Sequence, residues 1–155
     1  MARSLARPIL TATLIAGTLD ILAAVVMTLL YSRDPMAMLR YVGSGPLPGA
    51  TGWGTAGSLL GLAVHFALMA IMATIFVLAA ARIRALWQKP LLRGILYGIA
   101  TYVVMNLLVV PWRFDRPLPS RLEAIGPQLA FHIFLVGLPI ALVAASHFRG
   151  RSAFR

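Results

Sequence analysis

An apolar run from Pro8 to Tyr31 contains one acidic residue, Asp20, close to its middle. About 23 residues of α-helix rise roughly 35 Å, which is enough to cross a hydrocarbon core of about 30 Å. The run exceeds the roughly 7–15 apolar residues of a signal peptide, so it predicts an uncleaved membrane span. An aspartate at mid-membrane costs on the order of 2.5–3.5 kcal/mol on insertion scales. We therefore expect Asp20 to face protein or water and to have a partner.

Three further apolar runs follow, and the composition agrees with a membrane protein. Hydrophobic residues make up 60% of the 155 residues and charged residues 12%, whereas soluble proteins hold about half and about a quarter. No stretch is left for a soluble domain or an aqueous enzyme core, so a single all-α membrane domain over residues 1–155 is predicted, and enzymatic activity is not expected. The predicted architecture is an up-down bundle of four transmembrane helices, at approximately 8–31, 54–81, 91–112 and 125–148.

The net charge of +10 is spread between the apolar runs and does not form one basic patch. Cations that flank spans contact anionic headgroups and set orientation, so nucleic-acid binding is not expected. Nine Lys and Arg residues lie at the N-terminus, in the 82–93 connection and in the 149–155 tail, against five in the other two connections. The larger group belongs on the cytoplasmic side, which predicts that both termini are cytoplasmic.

The connection after the first span is rich in Gly and Pro and contains a short amphipathic segment, Met36–Val42. Asp34 and Pro35 precede it and are typical of a helix start. Gly43 and the residues after it end the segment. Because this amphipathic segment carries Met, Leu and Tyr, we expect a short interfacial helix that does not cross the membrane, the alternative being a loop packed over the mouth of the bundle.

Glycines recur at helical spacing in the second and third spans. The stretch from Gly52 to Gly57 matches the G-x-G-x-x-G dinucleotide fingerprint, but it lacks the strand and the later acid that this motif requires. Small residues four apart let helices approach closely in a membrane. We therefore assign the pairs Gly57 and Gly61, and Gly94 and Gly98, to helix packing.

Prolines mark the ends and the interior of the last two spans. Pro111 and Trp112 predict the exit of span three, followed by an extended loop over residues 111–123. Pro139 lies inside span four, where its ring weakens the hydrogen bond to the Leu135 carbonyl and predicts a kink.

Polar side chains in the four spans predict a polar interior. Counting helical rise from the predicted span ends places Asp20 and His65 in one layer near mid-membrane, and Asn106, His132 and Gln128 in a second layer nearer the outer surface. Tyr102 lies one turn from Asn106 on the same helix face. An acid and histidines at this depth are typical of proton relays and of solute routes. These six residues are therefore candidates for a proton or solute path.

Two other interpretations of the same residues stay open. Neutral histidines and a hydrogen-bonded Asp20 could hold the helices together with no transport role, as in a structural subunit of a membrane complex. Alternatively, His65 and His132 could bind haem b or, with Asp20, a metal ion, since bundle proteins build cofactor sites from facing helices. Absence of any cofactor remains the first expectation. The chain contains no cysteine, which excludes disulfides and thiolate ligands.

Four short segments resemble small uncharacterised bacterial four-span inner-membrane proteins, a family with no activity attached. They are Gly17-Thr18-Leu19-Asp20-Ile21, His65-Phe66, Tyr102-Val103-Val104-Met105-Asn106 and Val136-Gly137-Leu138-Pro139. The resemblance implies a four-span bundle in a bacterial cytoplasmic membrane and no mechanism. The lipid bilayer is the expected partner, together with a second copy of the chain or another subunit of a membrane complex.

Overall fold

The computed structural model describes residues 5–152, with side chains to residue 150, and these residues form helices and connections with no strand. The four long helices are α1 (Ala6–Leu30), α3 (Gly54–Arg82), α5 (Pro90–Phe114) and α6 (Leu122–Gly150), each long and apolar enough to cross a membrane. Short helices α2 (Pro35–Gly43) and α4 (Ala85–Gln88) lie between them, and a 3₁₀ turn spans Pro48–Gly52. The predicted all-helical class with four candidate spans is confirmed. The cations at residues 1–4 and 153–155, which the predicted orientation uses, lie outside the described residues.

Helix α1 packs against both α3 and α6, and α5 packs against α6. The interior is built largely of alanine, including Ala12, Ala16, Ala73 and Ala144, which are at most 2% exposed. Small side chains bring the helix backbones close together where lipid removes the hydrophobic drive for association. Large apolar side chains instead point outward at positions suited to acyl chains, among them Leu10, Leu22, Leu29, Ile75 and Phe134.

The two glycine pairs contact backbone of neighbouring helices in this chain. A Cβ atom built on Gly98 would lie 2.5 Å from the carbonyl oxygen of His132, and one on Gly94 would lie 2.9 Å from the Cα of Leu138. In α3, a Cβ on Gly61 would collide with the carbonyl of Leu39 in α2. The close approach leaves no room for a side chain at these sites, so these glycines face inward and their surfaces are already occupied within the chain.

Helix α2 begins at Pro35 because Asp34 caps its first turn. The carboxylate of Asp34 accepts hydrogen bonds from the backbone N–H groups of Met36, at 2.8 Å, and Ala37, at 3.1 Å. These two groups lack partners within the helix, so the cap satisfies them. The predicted segment, Met36–Val42, differs from the observed helix by one residue at each end.

Removing this cap is expected to destabilise the fold locally. The Asp34→Ala substitution should lower the free energy of unfolding by about 1 kcal/mol, since the N-terminal N–H groups lose their acceptor. Asp34→Asn keeps an acceptor oxygen and serves as the matched control. Denaturation in mixed dodecylmaltoside and sodium dodecyl sulfate micelles, followed by tryptophan fluorescence, measures both. Equal stability of the Ala variant and the wild type would contradict the assignment of the cap.

Side chains from α3 and from the end of α5 hold α2 in place. Ser58 Oγ donates a 3.0 Å hydrogen bond to the carbonyl of Met36, and the Arg113 guanidinium donates to the carbonyls of Ser44 and Gly45. The rings of Tyr41 and Phe114 stack with centroids 4.3 Å apart. The polar carbonyls at the end of α2 thus find donors on the adjacent span.

The expectation that residues 111–123 form an extended loop is wrong at its start, because α5 continues through Pro111 to Phe114. A π-helical segment, Val103–Val109, lies just before Pro111, and the Val110 N–H donates to the carbonyl of Met105 five residues earlier. The wider turn relieves the clash between a proline ring and the preceding turn. In α6 a second π-helical segment, His132–Gly137, precedes Pro139 in the same way. The predicted disturbance near Pro139 therefore takes the form of a widened turn.

Candidate functional site

Asp20 of α1 and His65 of α3 face each other in the interior of the bundle. The distance from Asp20 Oδ2 to His65 Nδ1 is 4.0 Å, and their side chains are 19% and 11% exposed. The other imidazole nitrogen, Nε2, lies 2.9 Å from the carbonyl oxygen of Gly17, one turn before Asp20. A Cβ atom on Gly17 would lie 2.6 Å from the ring of Phe66, so glycine at this position lets α3 approach α1 closely enough for the contact.

The Gly17 carbonyl decides which nitrogen of His65 can exchange a proton with Asp20. A carbonyl oxygen only accepts hydrogen bonds, so Nε2 of His65 carries the hydrogen. In the neutral imidazole, Nδ1 is then an acceptor and faces the carboxyl group. The pair can hold one shared proton, either on Asp20 or on His65. Because 4.0 Å exceeds a direct hydrogen bond, a small rotation or a bridging water would complete the transfer.

His132 joins this pair from the π-helical segment of α6. Its Nδ1 lies 2.9 Å from the carbonyl of Gln128 and must donate to it, which leaves Nε2 as the acceptor in the neutral ring. The imidazole of His132 lies within electrostatic range of the Asp20 carboxyl group, as does that of His65. Tyr102 of α5 packs edge-on against His132, with ring centroids 5.7 Å apart. His65 and His132 are both buried residues, and each imidazole donates from one nitrogen to a main-chain carbonyl.

The expected separation of His132 from Asp20 into two layers stays a prediction, but the observed start of α6 places the two residues at more similar distances from their helix ends. The helix begins at Leu122, three residues before the predicted start, so His132 lies ten residues inside it, or about 15 Å. Asp20 lies ten residues from Leu30. His65 lies eleven residues from Gly54, at nearly the same depth. We call Asp20, His65 and His132 the acid–imidazole centre.

The remaining two candidates, Asn106 and Gln128, line a cleft of about 760 Å³ between α1, α5, α6 and the loops at their ends. Gln128 lies one helical turn from His132, and Ala24 of the cleft wall lies one turn from Asp20. The cleft therefore extends from the exposed loops to within about one helical turn of the acid–imidazole centre. Its other walls are formed by Met27, Thr28, Tyr31, Arg33, Met38, Val110, Pro111, Pro117, Pro119, Arg121, Glu123, Ala124 and Pro127.

The geometry does not favour a haem or metal site. Each histidine commits one nitrogen to a main-chain carbonyl, and the remaining nitrogen of His65 is directed at the Asp20 carboxyl group. Two axial ligands for haem would have to face each other across a flat macrocycle, whereas here Nδ1 of His65 lies 4.0 Å from a carboxyl oxygen of Asp20. Within residues 5–152, no group of three or more His, Asp or Glu side chains is arranged to hold a metal ion.

Two features of the site were not anticipated from the sequence. The Gly17 carbonyl as partner of His65 was missed, although a glycine one turn from a buried acid is a usable signal for close helix approach. The cleft residues Arg33 and Arg121 were counted only as determinants of orientation. Their position at a shared cleft depends on the loops that bring α1 and α6 together.

The comparisons with known proteins add no assignment. No protein-family model, curated protein or solved structure matches this chain. The function is therefore argued from the geometry of the site.

Proposed function

We propose that this chain is an integral protein of a bacterial cytoplasmic membrane, with four spans in an up-down bundle and both termini in the cytoplasm. Four apolar helices of sufficient length support the spans, and the excess of cations on one set of connections supports the orientation. The short helix α2 then lies on the outer side, at the membrane interface. The partner is the lipid bilayer, and nucleic acid is not among the ligands.

Within that setting, we propose that the protein carries protons, alone or together with a small solute, through the acid–imidazole centre. The observation that carries this proposal is a carboxyl oxygen of Asp20 that lies 4.0 Å from Nδ1 of His65, a nitrogen that can accept a proton because Nε2 donates to the Gly17 carbonyl. His132, whose Nδ1 donates to the Gln128 carbonyl, lies within electrostatic range of the same carboxyl group. Such a group of proton acceptors at mid-membrane is costly and typical of proton pathways. The cleft, which ends about one helical turn from the centre, is the proposed route of access from the outer side.

A structural role is the second candidate, because the His65 hydrogen bond to the Gly17 carbonyl links α3 to α1. Interhelical hydrogen bonds in membranes contribute about 0.6 kcal/mol on average, so this bond alone would account for a histidine at that position. It does not account for an acid beside two imidazoles. Self-association or binding to another subunit of a membrane complex remains compatible with either role, but the glycine pairs are already occupied inside the chain.

Proton flux in proteoliposomes tests the proposal directly. The purified protein is reconstituted in lipid vesicles that contain a pH-sensitive dye, and a potassium diffusion potential drives protons inward. We expect acidification faster than in protein-free vesicles, unchanged by Asp115→Asn, which neutralises an exposed loop acid. Wild-type protein that acidifies vesicles no faster than lipid alone, with and without an organic anion outside, would contradict the proposal.

A further inference from the structure

The outer cleft combines cations at its mouth, amides deeper inside and apolar walls between them. Arg33 follows the end of α1 and Arg121 immediately precedes α6, so both lie at the loop end of the cleft. Asn106 and Gln128 lie further in, about two and one and a half turns from the ends of their helices. The walls between are mostly apolar and include Met27, Met38, Val110, Pro111 and Pro127.

The two arginines at the mouth have N–H donors that no described residue accepts. Arg40 is paired with Asp34 at 3.3 Å, and Arg113 donates to the carbonyls at the end of α2. The side chains of Arg33 and Arg121, in contrast, form no ion pair or hydrogen bond with other residues in the 5–152 range. Guanidinium groups bind carboxylates through two parallel hydrogen bonds, so these groups are suited to an anionic ligand.

We propose that this cleft binds a small organic monoanion with an apolar body, such as a carboxylate on a hydrocarbon frame, taken up from the water phase. The inference rests on the proposed function and names the class of its solute. Because the mouth is built from exposed loop residues, the ligand is assigned to water rather than to the lipid.

The charges and size of the cleft support this class of ligand. Two arginines and one acid, Glu123, give the cleft a net charge of about +1, which one carboxylate neutralises. The volume of about 760 Å³ falls in the range of small-molecule sites, which are mostly apolar with a few polar groups that orient the ligand. The side chains of Asn106 and Gln128 form no hydrogen bond within the described chain and are free to bind a polar end of the ligand or its water.

Equilibrium binding to the full chain in phosphatidylcholine nanodiscs tests the inference. The probes are 4-phenylbutyrate, 4-phenylbutanol and 4-phenylbutylamine, which share a body and differ in charge, and each is titrated by calorimetry against empty nanodiscs. We expect binding of the carboxylate only. Equal heats for the three probes, or none for the carboxylate, would overturn the inference.

Two sets of substitutions are expected to change the affinity for 4-phenylbutyrate in opposite directions, so misfolding cannot explain both results. The double variant Arg33→Gln, Arg121→Gln should weaken 4-phenylbutyrate binding about tenfold through loss of two charged donors. Arg116→Gln, in the same loop but outside the cleft walls, is the matched control and should leave affinity unchanged. Glu123→Gln should strengthen binding about threefold, because it removes a like charge, and a damaged fold cannot produce that gain.

Two further comparisons show whether the ligand comes from water or from the lipid, and whether a failure concerns this inference or the proposed function. Replacing a third of the phosphatidylcholine with phosphatidylglycerol should leave the 4-phenylbutyrate affinity nearly unchanged. Loss of binding in these nanodiscs would mean that an anionic lipid occupies the cleft, and it would overturn the assignment to a water-soluble ligand. Wild-type proton flux without 4-phenylbutyrate binding would overturn this inference alone. Binding without flux, in the presence of the anion, would overturn the proposed function and leave the cleft as a binding site.

Discussion

Asp20→Asn is expected to lower proton flux in proteoliposomes at least about tenfold, because the amide keeps the size of the side chain but cannot take up a proton. The two imidazoles would then lose the group that connects them electrostatically. Flux is measured as dye acidification under an imposed potassium diffusion potential. Asp115→Asn removes the same chemical group from an exposed loop and should keep wild-type flux.

His65→Gln separates proton transfer from helix packing at the same centre. A glutamine amide can still donate to the Gly17 carbonyl, so we expect unfolding stability close to that of the wild type, while flux falls as far as in Asp20→Asn. His65→Leu can neither take up a proton nor donate to the Gly17 carbonyl, so it should lower flux and also lower stability, the latter by about 0.6 kcal/mol. A His65→Gln protein with normal flux and an Asp20→Asn protein with normal flux would together leave only the structural role.

Gly98→Ala is expected to cost roughly 1–3 kcal/mol of unfolding free energy, as overpacking of a close contact does. The added methyl group would lie 2.5 Å from the His132 carbonyl oxygen and 2.5 Å from the Ile133 Cα, and both are backbone atoms that cannot rotate away. Helix α6 must shift, and with it the π-helical segment that carries His132. Proton flux should therefore fall together with stability.

Gly150→Ala, in α6, is the matched control, because apart from its chain neighbours and the adjacent helix backbone no described atom lies within 4 Å of a Cβ built at that site. Alanine is favoured over glycine in a helix by up to about 1 kcal/mol, so this variant should be as stable as the wild type or more so. Denaturation in mixed micelles compares the two variants. Equal stability of Gly98→Ala and Gly150→Ala would show that the α5–α6 contact is looser than described.

Some parts of the site follow from local pattern and others do not. Asp20 was predicted to face protein or water, and helical spacing places Gly17, three residues earlier, on the same side of α1, where it is buried. The predicted start of α6 was three residues too late, so His132 lies further inside the helix than predicted, and the turn before Pro127 carries too weak a signal to set that boundary. The pair Gly57 and Gly61 was assigned to packing from its spacing, but its partner, the backbone of α2, could not be inferred.

The amino-acid sequence by itself determined that the chain is helical, has four candidate spans and contains an acid that must turn inward. Length, hydropathy and helical period are properties of neighbouring residues, and the cost of a charge in lipid does not depend on which helix lies opposite. Only the tertiary structure decided that His65 lies next to Asp20 with His132 in electrostatic range, and that a cleft with two arginines unpaired among the described residues ends one turn from them. The rotation and axial shift of each helix are set by contacts between residues far apart in the chain, and local pattern carries no information about those contacts.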